Sequence, residues 1–215
     1  MPGMRLDHVS FAAESDGLRA TAARLGAALG IDPVDGGVHP RFGTRNVVLP
    51  LAAGRYVEVV EVLDHPASDK APFGQAVRAR SAEGGGWLCW VVAVSDLAPI
   101  EKRIGHVAVP GNRYRPDGVE LRWQQIGVKG MLADPQLPYM LRWETGPDLH
   151  PSVGGADDVA LTGLTIAGDP DRVRAWLGLD PEYTSASIDV SFVAPHGTPA
   201  LLSVSFQTPN GVVQI

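Results

Sequence analysis

Short runs in which apolar and polar residues alternate recur along this chain, and turn signals separate them. Alternation over Arg5–Ala13 predicts a β-strand, and helical spacing of apolar residues predicts a helix over Asp16–Leu29 that stops at Gly30. Two extended runs follow, Asn46–Leu51 and Tyr56–Leu63, joined by a tight turn. The predicted order is strand, helix, then two or three strands.

The same order recurs further along the chain. After a predicted helix at Ala71–Arg80 and three glycines that form a joint, strands are predicted at Trp87–Val94, His106–Val109, Val119–Val128 and Tyr139–Glu144, with a helix ending at Ile104. A third, shorter copy has strands at Val159–Ala167, Ser187–Ala194 and Leu201–Thr208 and a helix at Asp169–Leu177. We therefore predict an α+β protein. Paired units are predicted over residues 1–146 (unit one 1–66, unit two 87–146), and a partial third βαββ unit, 159–215, is predicted to pack in the same domain.

Bulk composition narrows the classes of function. The chain has 215 residues and a net charge of −6, and no basic run is longer than two residues, which argues against nucleic acid as a partner. No apolar run is long enough to span a membrane, and no secretory signal is visible. A single cysteine, Cys89, allows no internal disulfide or thiolate metal cluster. Residence in the cytoplasm is expected.

Two carboxylates interrupt the valine-rich run after Tyr56. A half-buried strand does not tolerate a carboxylate unless something pairs with it. Period-two counting places Glu58 on an inward face, and the same counting makes the face of His8 inward. Glu61 falls on the opposite face, where solvent or a partner at the sheet edge is expected. His39 is predicted to lie on a loop before these strands.

The ordered motifs LDHVSFA, GGVHPRFGTRNVVLPL, GRYVEVVEV, LPYMLRWETGPDLHPS and TPALLSVSFQTPNGVV resemble the vicinal oxygen chelate superfamily, which includes glyoxalase I and the extradiol dioxygenases. The likeness is greater to its glyoxalase-like domain branch. The resemblance implies a cupped sheet in each unit, with the two cups facing each other around a cavity that binds a small molecule. It also implies assembly as a homodimer.

The resemblance further implies that a divalent metal (Zn, Mn or Fe) is held by His8 and Glu58, which match ligand positions of unit one. The matching positions of unit two carry Trp90 and Leu141, which cannot bind a metal. Glu144 is a candidate third ligand, and a second histidine would come from His39 or His106. The alternatives are a metal-free His8–Glu58 pair that acts as general base and orienter, or two residues that do not meet.

Further residues are candidates for contact with a substrate. His39 and Asn46 could offer an imidazole and an amide at the mouth of a cavity, or could serve turn chemistry only. Trp90 and Trp143, on predicted strands, could line a pocket or belong to the core. Arg122 and Arg142, also on predicted strands, could bind a carboxylate or face outward as surface charges.

Two functions remain open at this point. The first is an enzyme of lyase, isomerase or dioxygenase type, with or without a metal, acting on a compound with adjacent oxygen functions. The second is a non-catalytic binding or resistance-type protein that holds an aromatic ligand against Trp90 and Trp143. The retained His8 and Glu58 favour the first function, and the missing ligands of unit two favour the second.

Overall fold

The computed structural model describes residues 4–179 and 188–215. Within them, the strands are β1 (Met4–Ala12), β2 (Val34–His39), β3 (Thr44–Leu51), β4 (Arg55–Val62), β5 (Gly86–Val94), β6 (Val109–Tyr114), β7 (Glu120–Ile126), β8 (Tyr139–Trp143), β9 (Ala160–Ala167), β10 (Asp189–Val193), β11 (Ala200–Thr208) and β12 (Gly211–Gln214). The helices are α1 (Leu18–Leu29), α2 (Pro66–Lys70), α3 (Pro72–Ala82), α4 (Ala98–Ile104), α5 (Val128–Ala133) and α6 (Pro170–Leu177). None of these helices is long and apolar enough to cross a membrane.

The first eight strands close into a barrel in the order β1-β4-β3-β2-β6-β7-β8-β5. Each half is a βαβββ unit whose first strand pairs in parallel with its last, β1 with β4 and β5 with β8. The units join where β1 runs antiparallel to β5 and where Val38 of β2 pairs with Tyr114 of β6. The predicted α+β class and the tandem βαβββ units are confirmed. An eight-stranded barrel is just wide enough for side chains to fill it.

Apolar residues on the outer face of the barrel pack against helix α1. In α1 the buried residues Leu18, Ala22, Leu25 and Leu29 recur at helical spacing and pack with the outer-face residues of β3 and β4. The helix ends at Gly30, whose φ of 73° is a conformation that glycine adopts without steric cost. The stop was predicted correctly, whereas no side chain caps the start of the helix.

The third unit forms a separate four-stranded sheet in the order β10-β9-β11-β12. Its first strand pairs in parallel with its second, whereas in the other units the first strand pairs with the last. The prediction of a third copy was therefore right in element order and wrong in topology, and it omitted β12. This sheet packs on the barrel through Trp87, whose indole NH donates to the Ile215 carbonyl at 2.8 Å. Ser187, the predicted start of β10, lies outside the described residues.

Three strand and loop predictions in the barrel were wrong. His39 is the last residue of β2, a strand that was predicted as loop because its two glycines obscure the alternation. β6 lies at Val109–Tyr114 and not at His106–Val109, so His106 is on a loop. Gly86 begins β5, and only Gly84 and Gly85 form the predicted joint.

Candidate active site

The imidazole of His8 lies inside the barrel, on the central part of β1. The residue is 3% exposed, its ring stacks on Tyr56 with centroids 4.4 Å apart, and its Nδ1 is 3.0 Å from Oδ2 of Asp7. An ionised carboxylate can only accept hydrogen bonds. With Asp7 ionised, Nδ1 of His8 carries a proton, so in the neutral form of the ring Nε2 has a free lone pair.

Asp7 is held ionised by its surroundings. Burial raises the pKa of Asp7, but hydrogen bonds from His150 and His8 and the charges of these rings outweigh burial and leave the pKa well below its ordinary value. His150 Nε2 lies 3.2 Å from Oδ1, and a guanidinium nitrogen of Arg5 lies 2.8 Å from the same oxygen. The indole NH of Trp143 is 3.3 Å from Oδ2. The fully buried carboxylate therefore organises both histidines.

A β-bulge explains why Asp7 can bond to its own neighbour in sequence. The pairing of β1 with β5 shifts between Leu6 and His8, which leaves Asp7 as an extra residue. Leu6 consequently packs with the outer core, whereas His8 faces the barrel interior. The predicted alternation, which put Leu6 on the face of His8 and Asp7 on the other, was wrong at this point.

Glu58 on β4 meets His8 inside the barrel. Its Oε2 is 4.0 Å from Nε2 of His8 and accepts a hydrogen bond from Ser10 Oγ at 2.7 Å. Its Oε1 accepts one from Asn46 Nδ2 at 2.8 Å. Burial raises the pKa of Glu58, but the nearby His39 and His8 and these two hydrogen bonds together bring the pKa below its ordinary value. The buried carboxylate is therefore ionised at neutral pH.

His39 joins the same group from β2. Its Nε2 is 3.7 Å from Oε1 of Glu58, and its Nδ1 is 3.0 Å from the hydroxyl of Thr44. Burial lowers the pKa of His39 to about 4, and the charge of Arg113 acts in the same direction, while Glu58 opposes both. His39 is therefore neutral at pH 7. His39 and Asn46 lie deep in the barrel and not on a loop at its mouth.

Tyr139 is a site residue that the sequence predictions omitted. Its hydroxyl is 3.4 Å from Nε2 of His8, and burial raises its pKa well above 10, so it stays a neutral donor. Tyr56 and Tyr139 occupy equivalent positions, because His8 pairs with Tyr56 and Val91 pairs with Tyr139. Two tyrosines at matched places in the sequence repeat were the signal that could have found them.

The same register gives the counterparts of His8 and Glu58 in unit two. They are Val91 and Leu141, so the prediction for Leu141 holds, and the prediction of Trp90 at the His8 position was off by one residue. Trp90 belongs to the outer core, where its indole NH donates to the Gln136 carbonyl at 3.0 Å. Cys89 faces inward instead, and burial raises the pKa of its thiol, although a hydrogen bond with Ser10 acts in the opposite direction.

Several predicted residues stay outside this group. Arg122 and Arg142 are exposed on the outer face of β7 and β8. Glu144 is also exposed, lies 3.9 Å from Arg142, and accepts a hydrogen bond from Gln124, so it does not reach Glu58. A β-bulge in β8 would have turned Glu144 inward, but the pairing of β8 with β5 and β7 shows no register shift. Glu61 lies on the outer face as predicted, beside Arg45 and the amide of Leu18.

Two surface cavities lie near the barrel, and neither is lined by His8 or Glu58. One, of about 780 Å³, is lined by residues that include Arg5, Arg142 and Trp143. Arg5 and Trp143 also contact Asp7, so this cavity adjoins the buried group. The second, of about 560 Å³, is mainly apolar and is lined by residues that include Phe42, Phe73, Gln125 and Trp176.

Comparison with known families decides the relationship. A family model described as "Glyoxalase-like domain" matches residues 6–180, which is most of the chain. This chain belongs to the glyoxalase-like domain family. The resemblance predicted from the ordered motifs is therefore confirmed. The match ends before β10, so the strands that complete the third sheet lie beyond it.

One solved structure has a similar fold over nearly the whole chain, and two others match part of it with lower scores. A hypothetical protein from Staphylococcus aureus is similar over 99% of this chain and 85% of its own, with a TM-score of 0.64 and 12% identity. Methylmalonyl-CoA epimerase from Mycobacterium tuberculosis matches over 67% of this chain and 89% of its own, with a TM-score of 0.44 and 18% identity. The Streptomyces coelicolor epimerase gives a TM-score of 0.41 with 17% identity over 66% of this chain and 96% of its own. A search of the curated proteins found no match.

The glyoxalase-like family raises the question of a divalent metal. Two imidazoles and one carboxylate are suitable donor types. The oxygens of Glu58 accept hydrogen bonds from Ser10 and Asn46 and lie 4.0 and 3.7 Å from Nε2 of His8 and of His39. Across residues 4–179 and 188–215, no group of three or more His, Cys, Asp or Glu side chains has an arrangement that could hold a metal. The donors as arranged do not fit a metal site.

Proposed function

We propose that this glyoxalase-like protein is an enzyme that moves a proton at a carbon atom next to a carbonyl group. The observation that carries the proposal is the position of His8 between two ionised carboxylates, with Nδ1 3.0 Å from Asp7 and Nε2 4.0 Å from Glu58. A buried imidazole that is oriented on one side and has a free lone pair on the other is suited to general base catalysis.

Each neighbour of His8 has a distinct task in this proposal. Asp7 fixes the tautomer in which Nε2 is the base, and its charge stabilises the imidazolium that forms when Nε2 takes the proton. Glu58 stabilises the same imidazolium from the other side. The hydroxyl of Tyr139, 3.4 Å from Nε2, donates a hydrogen bond to the oxygen on which negative charge develops as the carbonyl becomes an enolate.

The direction of proton return follows from where the groups lie. Glu58 and Tyr139 both adjoin Nε2 of His8, so the proton is taken and returned on one face of the substrate. This arrangement supports an isomerase or lyase that shifts a proton to a neighbouring atom. It offers less support for racemisation, which needs a second base on the opposite face. No step of the proposal requires a metal ion.

Exchange of carbon-bound hydrogen with solvent tests the proposal. The protein is incubated in D₂O with a panel of 2-oxo acids, 2-hydroxy ketones and thioesters, and deuterium uptake is followed by NMR. We expect catalysed uptake for at least one compound and a loss of about 100-fold or more in His8→Gln. The matched control is His196→Gln, because His196 is exposed on the loop before β11. Exchange that is unchanged in His8→Gln contradicts the proposal.

A binding protein without catalysis is the second candidate. The observation that favours it is that Val91 and Leu141 replace the polar pair in unit two, beside tryptophan and tyrosine rings. In that case aromatic compounds bind, and no exchange occurs with any compound. Metal analysis of the purified native protein accompanies the assay. A stoichiometric metal that is lost in His8→Ala supports the metal-assisted version of the enzyme. Homodimer formation and cytoplasmic residence stay predictions.

A further inference from the structure

Arg113 on β6 is a buried charge that the proton-transfer scheme does not use. The residue is 5% exposed and lies on the inner face of the barrel, two positions after Gly111. The indole of Trp123 covers Gly111 so closely that an added Cβ would lie 2.4 Å from it. Val38 of β2 pairs antiparallel with Tyr114 of β6, so the neighbouring residues His39 and Arg113 lie in adjacent register. Burial lowers the pKa of Arg113, the charges of Glu58 and Asp35 oppose that effect, and the charge of Arg113 lowers the pKa of His39. Arg113 therefore faces the group around His8.

Both carboxylates of this group have hydrogen-bond partners, whereas the Nε of Arg113 has none. Asp7 contacts two histidines, an arginine and an indole, and both oxygens of Glu58 accept hydrogen bonds. For Arg113, by contrast, the buried Nε has no hydrogen-bond partner in the described part of the chain. A buried guanidinium with an unsatisfied NH group is costly to the fold. A ligand that brings an anionic group would remove that cost.

Aromatic rings of the group around His8 indicate the rest of the ligand. Eight rings form a closed circuit of contacts, with centroids 4.4 to 6.3 Å apart. In order around the circuit they belong to His8, Tyr56, His150, Trp143, Trp123, Phe42, Phe73 and Tyr139. Flat, unsaturated molecules pack well against such surfaces. The circuit adjoins the same histidines that Arg113 faces.

We propose that Arg113 binds the carboxylate of a small, flat carboxylic acid, and that this acid is the substrate class of the enzyme. The identification as a substrate rests on the proton-transfer function proposed above. A guanidinium presents parallel NH groups that match the two oxygens of a carboxylate. Binding by Arg113 would hold the acid by its charged end while its unsaturated body lies against the aromatic rings.

Calorimetric titration of the full chain with benzoate, benzamide, formate and inorganic phosphate tests this inference. We expect wild-type protein to bind benzoate at least 10-fold more tightly than its neutral analogue benzamide, and to bind formate more tightly than phosphate. Arg113→Met keeps the apolar stem and should weaken benzoate binding at least 10-fold. Arg113→Lys keeps the charge without the paired NH groups and should lie between. Arg122→Met, from the exposed outer face of β7, is the matched control and should bind like wild type.

The ligand-free stability of the same variants separates a binding role from a structural one. If Arg113 serves to bind a ligand and does not stabilise the ligand-free protein, the Tm of Arg113→Met without ligand equals or exceeds that of wild type. A Tm of Arg113→Met below that of Arg122→Met overturns the inference. Equal affinities of wild type and Arg113→Met for benzoate also overturn it, as does benzamide binding that is as tight as benzoate binding. Proton exchange from a neutral ketone without carboxylate binding refutes this inference alone. Carboxylate binding without any exchange refutes only the proposed proton transfer.

Discussion

Replacing Asp7 by Asn should cost both stability and activity. The carboxylate is fully buried and accepts hydrogen bonds from His8 at 3.0 Å and His150 at 3.2 Å, whereas its partner Arg5 is 44% exposed and contributes little. Hydrogen bonds to a charged group are worth about 1.5–3 kcal/mol each. Complete loss of the two charge-assisted histidine bonds would lower the free energy of unfolding by about 3–6 kcal/mol, and this is an upper limit because asparagine can still form a neutral hydrogen bond to His8. For a chain of this size that loss corresponds to a fall in Tm of about 6–24 °C.

The activity loss has a separate cause, which is the tautomer of His8. An asparagine amide can donate to Nδ1, which would move the ring proton to Nε2 and remove the base. We expect proton exchange to fall about 10²- to 10⁴-fold in Asp7→Asn, measured at a temperature where the variant is folded. Asp157→Asn, at an exposed position of the connection before β9, is the control.

The pH dependence of Asp7→Asn gives a further check. Because the pKa of Asp7 is lowered in the folded protein, its contribution to stability is complete above the ordinary carboxyl pKa, near 4, and is lost as the pH falls below it. The variant should lack this part of the acid sensitivity. If urea unfolding places Asp7→Asn within 1 kcal/mol of wild type, or if the two acid profiles coincide, the reasoning about the buried carboxylate is refuted.

Three other predictions concern neighbouring groups. His39 has a folded pKa of about 4 against an ordinary 6.5, so the unfolded chain binds the extra proton first and stability should fall by about 3 kcal/mol between pH 6.5 and pH 4. In His39→Gln, urea unfolding across that range should show a flatter profile, and an unchanged profile would contradict the assignment. Glu58→Gln should reduce proton exchange about 100-fold, while Glu61→Gln on the same strand should not, and equal losses would remove the special role of Glu58. Cys89 should react with iodoacetamide only as fast as the protein unfolds, because burial raises its thiol pKa; fast labelling of the native protein would show that the thiol is accessible.

The paired units and the approach of His8 to Glu58 follow from local patterns in the sequence. Strand and helix periods differ clearly in this chain, and two strands that are parallel neighbours bring residues of like register together. The prediction that His8 and Glu58 face the same side of the sheet was therefore correct, although 50 residues separate them. The family resemblance added the closed arrangement of the two cups, which alternation alone does not specify.

The missed residues share one physical cause, which is that register is not a local property. The bulge at Asp7 shifts the face of every residue on one side of it, so Asp7 was placed outside the barrel. Trp90 was placed inside because the two units were matched with an offset of one residue. β2 contains two adjacent glycines, and β6 contains a proline and a glycine, so neither strand shows the usual pattern. Arg113 was missed for that reason, since it becomes an inward residue only when β6 is known.

Proton transfer by His8 requires a free lone pair on Nε2, and the tautomer of the His8 ring can be measured without knowing a substrate. Nitrogen-15 NMR of the histidine rings, assigned by comparison with His8→Gln, distinguishes a protonated from an unprotonated ring nitrogen. In the neutral form of the ring we expect the proton on Nδ1, bonded to Asp7, and a bare Nε2 facing Glu58 and Tyr139. A neutral ring with the proton on Nε2 would contradict it.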